Sequence, residues 1–325
     1  MHPMKHWTAA LTVISIVAFG VPAMPAKADP WPQRTVRLIV PFAAGADPAA
    51  RAFAEPLAKR WKQPVVIENR PGAEGMIGVS AFTSMKDDHV LLYHSAAAIT
   101  TFPLLHARLP YDPARDIVPI SSAAEPAISV AVPESLNTNS LDALVALARA
   151  QPGKLNYYAF QGGSFAILLP GFAKSVGLDM VQVSYRDSSL GIQDLVAGRI
   201  HIMMSSLLTQ LPLMRAGKIR MLAVTNKNRA AIAPEVPTVI EAGYPQLEFE
   251  GLQGFFGPRG MAAERQDRIA ADIRAVAADP AVAGPLAAGA YSARASTPAE
   301  FAASIEAQRA QLASLAKMTG IKPAP

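Results

Sequence analysis

The sequence predicts an α/β protein made of repeated strand–turn–helix units, and three observations carry that prediction. Short β-branched apolar runs alternate with longer stretches whose apolar residues recur at helical spacing. Most strand-like runs end in turns rich in glycine, serine or proline. The chain has 325 residues, 51% of them hydrophobic and 17% charged, which suits two packed cores and excludes a disordered or collagen-like chain. Such alternation predicts mostly parallel sheets. In open sheets of this class ligands sit beyond the carboxyl ends of the strands, so two sheets facing each other would enclose a cleft.

The first 28 residues read as a separate object. Lys5, with His2 and His6, precedes an uncharged apolar run, Ala9 to Val21, and Ala26-Lys27-Ala28 offers the small residues that a signal peptidase reads. The run is too short to span a bilayer, which takes about 20 residues. A secretory signal cleaved before Asp29 is therefore expected, with a periplasmic mature chain. There is no cysteine, which excludes a lipidated N-terminal cysteine, disulfides, a thiolate nucleophile and Cys-ligated metal. Losing Lys5 and Lys27 lowers the net charge from +5 to about +3. The remaining cations are scattered without aromatic interleaving, so no nucleic-acid partner is expected.

Thr35 to Val40 reads as the first strand. A helix follows, because Asp47 is a good N-cap, Pro48 suits the first helical position, and Ala50, Phe53, Leu57 and Trp61 share one face. Val65 to Glu68, Val90 to Tyr93 and Ile128 to Val132 are further strands, with a glycine-rich turn at Gly72 to Gly78. Ser140 caps a helix carrying Leu141, Leu144, Val145 and Ala148. Leu155 to Phe160 and Val181 to Tyr185 are strands, each followed by a turn and a helix. Ile200 to Met204 and Arg220 to Thr225 are strands with a helix between them, and Ala262 to Ala278 and Pro298 to Met318 are alanine-rich helices.

Motifs for covalent chemistry are weak. Gly72 to Gly78 has the form G-x-x-G-x-x-G, and no acidic residue stands where a ribose-binding role needs one. Gly163-Ser164-Phe165-Ala166 resembles a nucleophile elbow lacking its second glycine, and His201 is the only histidine after Ser164. Histidines 89, 94, 106 and 201 lack metal-ligand spacing, and Asp87-Asp88-His89 reads as a solvated turn. Neither enzyme activity, cofactor nor metal is expected. What remains is capture: Pro41 to Asp47 and Gly162 to Ser164 are strand-to-helix turns whose backbone amides can cradle an anion.

An ordered set of segments gives a more specific lead. Val36-Arg37-Leu38-Ile39-Val40-Pro41-Phe42, Val66-Ile67-Glu68-Asn69-Arg70-Pro71-Gly72-Ala73, Leu109-Pro110-Tyr111-Asp112-Pro113 and Pro152-Gly153-Lys154-Leu155-Asn156 come first. Ala216-Gly217-Lys218-Ile219-Arg220-Met221-Leu222-Ala223-Val224-Thr225, Val236-Pro237-Thr238-Val239-Ile240-Glu241-Ala242-Gly243 and Ser296-Thr297-Pro298-Ala299-Glu300-Phe301 follow. Together they resemble the Bug family, the extracytoplasmic solute receptors of tripartite tricarboxylate transporters, over nearly the whole mature chain. The resemblance implies a periplasmic-binding-protein fold of two α/β lobes joined by a hinge. Residues 29–128 plus 249–325 would form one lobe and 129–248 the other. It implies a small organic carboxylate in the cleft and transporter membrane subunits as partners. The residues described next lead us to expect an aromatic or dicarboxylic ligand, and the receptor is expected to be a monomer.

The expected ligand-binding residues are Phe42, Ala43, Ala44, Gly45 and Asp47 in the first loop and Phe160, Gly162, Gly163 and Ser164 in the second. His94, Ser95, Tyr185, Arg186, Ser188, Ser205 and Ser206 join them at other strand ends. The chain departs from the family pattern here. The first loop is shorter than the usual glycine-rich form, Glu74 stands in place of glycine and Phe102 in place of asparagine. Arg186-Asp187 replaces Lys-Gly, Met204-Ser205-Ser206 replaces aromatic-Asp-Asn, and Tyr158, Phe160 and Phe165 replace smaller residues. Tyr158, Phe160, Phe102 or Phe255 would line an apolar part of the pocket or else pack in the core. Arg186 would meet a second carboxylate or else pair with a surface acid. The competing readings are a serine hydrolase using Ser164 and a ligand sensor without a transport role.

Overall fold

A computed structural model describes residues 31–45, 47–160, 163–185 and 188–324, with the backbone alone at Phe160. The expected signal segment, Ala46, Gln161, Gly162, Arg186 and Asp187 lie outside the described residues. Among the described residues, no helix is long and apolar enough to cross a membrane.

The chain begins as the alternation predicts. β1 (Val36–Val40) leads into α1 (Pro48–Trp61), then β2 (Val65–Asn69), α2 (Met76–Met85) and β3 (Val90–Ser95). β1 lies between β2 and β3, parallel to both. All its residues but Arg37 are buried, which is why its sequence is almost wholly apolar. Asp47 caps α1 by accepting the Ala49 amide at 3.0 Å, and Ala50, Phe53, Leu57 and Trp61 are all buried.

Two short helical turns follow, α3 (Ala97–Thr100) and α4 (Phe102–Leu105), and then β4 (Ile117–Pro126). After a single residue, Ala127, the chain enters a second sheet as β5 (Ile128–Pro133). α5 (Leu141–Ala150), β6 (Asn156–Phe160), α6 (Phe165–Ser175), β7 (Val181–Tyr185) and α7 (Ser188–Val196) come next. β8 (Met203–Ser206), α8 (Leu207–Arg215) and β9 (Ile219–Val224) complete this half. β8, β5 and β9 form one sheet in that order, and β6 pairs with β7 in parallel. The chain returns through residues 249–252. Phe249 still donates its amide to Thr225 O at 3.0 Å, whereas Leu252 O accepts the Ala96 amide at 2.8 Å.

β10 (Gln253–Pro258), α9 (Ala263–Ala277), α10 (Pro280–Ala288), β11 (Tyr291–Ala293) and α11 (Pro298–Thr319) finish the chain. The first sheet thus has the order β11-β4-β10-β3-β1-β2. The expectation of mostly parallel sheets is corrected here. β10 runs antiparallel to β3 and β4, β11 to β4, and β5 to both its neighbours. The reason is topological. β4 leads out of the first sheet and β10 leads back into it as its neighbour, so the two must oppose. β5 and β9 stand in the same relation in the second sheet.

The two sheets carry separate cores. Ile39, Phe82, Leu92, Phe102 and Phe256 belong to the first, and Val130, Leu144, Leu168 and Phe172 to the second. α11 serves both, since Phe301 and Ile305 pack in the first core while Leu312 and Ala316 pack in the second. Thr297 and Glu300 close a capping box at its start.

Candidate functional site

A cavity of about 270 Å³ lies where segments of both sheets meet. Ser95 and Ala97 reach it from the end of β3 and the start of α3. Gly163, Ser164 and Phe165 reach it from the turn into α6, Ser206 from the turn into α8, and Phe249 and Leu252 from the return segment. Gln253, Tyr291 and Gln308 close it from β10, β11 and α11.

The first turn of α6 supplies the polar end. Ala166 and Ile167 donate their amides to Gly163 O and Ser164 O, each at 3.0 Å, while Ser164 N and Phe165 N meet no acceptor among the described residues. Ser164 makes no side-chain cap, because its hydroxyl lies 2.8 Å from Thr101 Oγ1. Ser206 opens α8, also without a side-chain cap. Two helix starts therefore border one hollow, each with the positive end of its dipole; at α8 the first amide, Leu207 N, is already given to Ala127 O at 2.9 Å.

The two glutamines that line the cavity are already hydrogen-bonded. Tyr93, fully buried, donates its phenol to Gln253 Oε1 at 3.2 Å. Gln308 accepts from Thr100 Oγ1 at 3.0 Å and donates to Glu250 O at 2.9 Å. A different hollow of about 380 Å³ lies beside Glu74, His106, Gln182, Ser184 and Lys322. Among the described residues it holds none of the candidate ligand-binding ones, so the smaller cavity is the better candidate site.

The model of the tripartite tricarboxylate transporter family receptor matches residues 49–320. The chain belongs to this receptor family. It is 32% identical to a UPF0065 protein of Bordetella bronchiseptica over 95% of this chain and 92% of that protein. It is 34% identical to the protein BugT of Bordetella pertussis, over 78% and 79% of the two chains. The structure of R. palustris Rpa4515 with adipate is similar, with TM-score 0.78 and 29% identity, over 90% of this chain and 100% of that one.

In this tripartite transporter receptor the expected residues divide. Ser95, Gly163, Ser164 and Ser206 line the cavity together. Phe42, Ala43, Ala44 and Gly45 do not line it; the three small residues are exposed, and Phe42 O accepts from Asn69 Nδ2 at 3.0 Å. Asp47 Oδ1 is used as the α1 cap, and Oδ2 is buried without a partner among the described residues. Burial pushes its carboxyl up to about 6. His94 is 1% exposed, both ring nitrogens lack partners among the described residues, and the ring packs edge-on against Phe42 at 5.1 Å. Burial pushes its imidazole down to about 4, so it is neutral.

Tyr185 gives its phenol to Asp194 at 2.5 Å, Ser188 is exposed, and Ser205 pairs across the sheet with Ser129. Gly162, Arg186 and the Phe160 side chain lie outside the described residues. Of the aromatic alternatives, core packing holds for three: Tyr158 and Phe102 are 2% exposed and Phe255 is fully buried. The aromatic walls come from Phe165, Phe249 and Tyr291 instead. Apart from Phe165, these residues went unread because they sit on the return segment and on β11, which carry no local pattern.

The hydrolase reading loses its base. His201 Nδ1 accepts the Asn156 amide at 2.8 Å, and Ser164 meets Thr101 rather than a histidine. At the Asp87-Asp88-His89 turn, which brings three possible ligand atoms together, the carboxylates face cations: Arg34 bonds Asp87 at 2.7 Å and Arg265 pairs with Asp88.

Proposed function

We propose that the protein is a periplasmic receptor that captures a small organic carboxylate between its two lobes and hands it unchanged to a tripartite transporter. The observation that carries this reading is the convergence of the α6 and α8 starts on one cavity, with Ser95, Gly163, Ser164 and Ser206 around it. Unpaired amides at helix starts bind an anion through fixed donors, which lose little entropy on binding. Adipate in the related Rpa4515 structure supports a carboxylate as the ligand. Residues 1–28 would be removed on export and the mature receptor would act as a monomer. Residues 29–128 with 249–325 would move against 129–248 about Ala127 and residues 249–252, closing over the ligand.

Calorimetry and thermal unfolding against a panel of carboxylates test the reading. A ligand present at 100 times its dissociation constant stabilises the fold by about 2.7 kcal/mol. Uptake of that ligand should fall when the gene is deleted. Failure of every carboxylate to bind, or turnover that Ser164→Ala abolishes, would overturn the proposal.

A further inference from the structure

Resting on that reading, we propose that Glu125 couples the capture of a carboxylate to the uptake of a proton, so that the receptor holds its anionic ligand more tightly in mildly acidic than in alkaline surroundings. Glu125 stands on β4, one residue before Pro126, and Pro126 lines the cavity. Neighbours on a strand take opposite faces, so Glu125 lies behind the wall that Pro126 forms. β11 repeats the arrangement: Tyr291, paired with Pro126, lines the cavity, while Ser292 pairs with Glu125. Glu250 likewise precedes Gly251 and Leu252, which line the cavity from the return segment.

The charges behind this wall do not balance. Arg294 Nη1 lies 3.5 Å from Glu125 and 3.4 Å from Glu250, and Lys227 Nζ lies 3.6 Å from Glu248 and 3.7 Å from Glu250. Among the described residues, three carboxylates thus share two cations. The Glu125 side chain is the most buried of the three, at 8% exposed against 16% for Glu250 and 32% for Glu248. A proton is therefore best placed on Glu125, where it neutralises the group. Burial first, then Glu250, push its carboxyl up to about 7, against Arg294 and Lys227. The other elements around it bring neutral groups. Gln253 of β10 pairs with Ala124, Gln308 of α11 gives its amide to Glu250 O, and burial keeps the Tyr291 phenol protonated.

When Glu125 loses its proton, a negative charge appears behind the wall that an anionic ligand touches. Two unit charges about 10 Å apart, at an effective dielectric of about 20, repel strongly enough to change an affinity on the order of tenfold. By linkage the bound anion in turn makes Glu125 hold its proton more tightly. Affinity should therefore be full below about pH 7 and fall as pH rises above it.

The test is titration calorimetry of the mature chain with benzoate, malate and adipate, which are largely ionised from pH 6 upward. The dissociation constant of whichever binds, or failing these of the tightest binder in the wider panel, should rise at least about threefold between pH 6 and pH 8.5. Glu125→Gln should match the unaltered chain at pH 6 and bind at least about threefold more tightly than it at pH 8.5. Asp47, which burial raises to about 6, remains in both proteins, so their difference reports Glu125. At pH 7, binding enthalpies in phosphate and Tris buffers should show proton uptake that Glu125→Gln reduces. Were Glu125→Gln not to fold, Glu250→Gln takes its place: without the neighbouring acid Glu125 ionises earlier, and the fall in affinity should move to lower pH. The same pH profile in the unaltered chain and the variant would overturn the inference and leave the carboxylate receptor standing. Binding of none of the three, with none from the wider panel, would overturn both.

Discussion

The hydroxyls of Thr101 and Ser164 lie 2.8 Å apart, and this bond ties the short helical turns after β3 to the start of α6. Thr101 is fully buried. When it donates, the Ser164 hydroxyl keeps its own hydrogen for the cavity. Thr101→Val preserves the shape and removes the bond. Loss of one such hydrogen bond is worth about 1 kcal/mol, so carboxylate affinity should fall roughly three- to tenfold. Titration of the variant checks this, and unchanged affinity would detach Ser164 from the site.

Gly251 permits the two crossing segments to touch. A Cβ there would lie 2.6 Å from Pro126 Cγ and 3.4 Å from Ile128 Cδ1. Gly251→Ala should push the segments apart and destabilise the fold by about 1–3 kcal/mol. Differential scanning calorimetry reads the loss directly. A variant as stable as its parent would show that the segments yield at no cost.

Glu125 predicts a pH dependence. It sits one residue before the end of β4, 8% exposed in its side chain, with Arg294 at 3.5 Å. Arg294 also reaches Glu250 at 3.4 Å, and Lys227 lies near Glu248 and Glu250. Burial first, then Glu250, push the Glu125 carboxyl from 4.5 up to about 7, against Arg294 and Lys227. The folded state therefore holds this proton more tightly than the unfolded chain. Stability from this group is full below about pH 4.5 and is lost as pH rises through about 7, on the order of 3 kcal/mol in all. Glu125→Gln should flatten that part of the profile. Urea unfolding across pH 4–8 measures it, and an identical slope in the variant would rule Glu125 out.

His94 acts in the opposite sense. Its folded value of about 4 lies below the ordinary 6.5, so its neutral form favours folding above pH 6.5 and that contribution fades as pH falls toward 4. Because neither ring nitrogen has a partner among the described residues, His94→Leu should stabilise the protein by about 1–3 kcal/mol at pH 5. The same urea series detects the gain. A loss of stability would mean that the imidazole has a polar partner, such as an ordered water.

What could be read from the sequence was local. The Asp47 cap, the buried stripe of α1 and the Ser140 cap of α5 each follow from a few neighbouring residues. β4 and β10 escaped notice because their residues answer to distant partners. β4 contains Pro119 and a run of small residues, and β10 contains Gly254, where a Cβ would lie 2.3 Å from Ser121 O. Their strand character comes from pairing, not propensity. The site divides in the same way. Ser95, Gly163 and Ser206 were legible as residues at strand ends, whereas Gln253, Tyr291 and Gln308 arrive from segments more than a hundred residues away from Ser95. Tyr158 suggested a pocket wall by its aromatic character, yet Gly191 packs against its ring and Tyr185 stacks on it at 5.4 Å.

The final helix has a bearing on how the chain reaches its native state. Phe301 and Leu312 lie on one continuous element and complete different halves of the molecule. Neither half can seal its interior until residues near the carboxyl terminus have arrived, and the first half also waits for β10 and β11. Assembly therefore cannot finish progressively from the amino terminus, and its slow steps are set by contacts between widely separated parts of the chain. Removing the last two turns of that helix would leave the newly made protein open and prone to aggregate, long before any question of what it binds could arise.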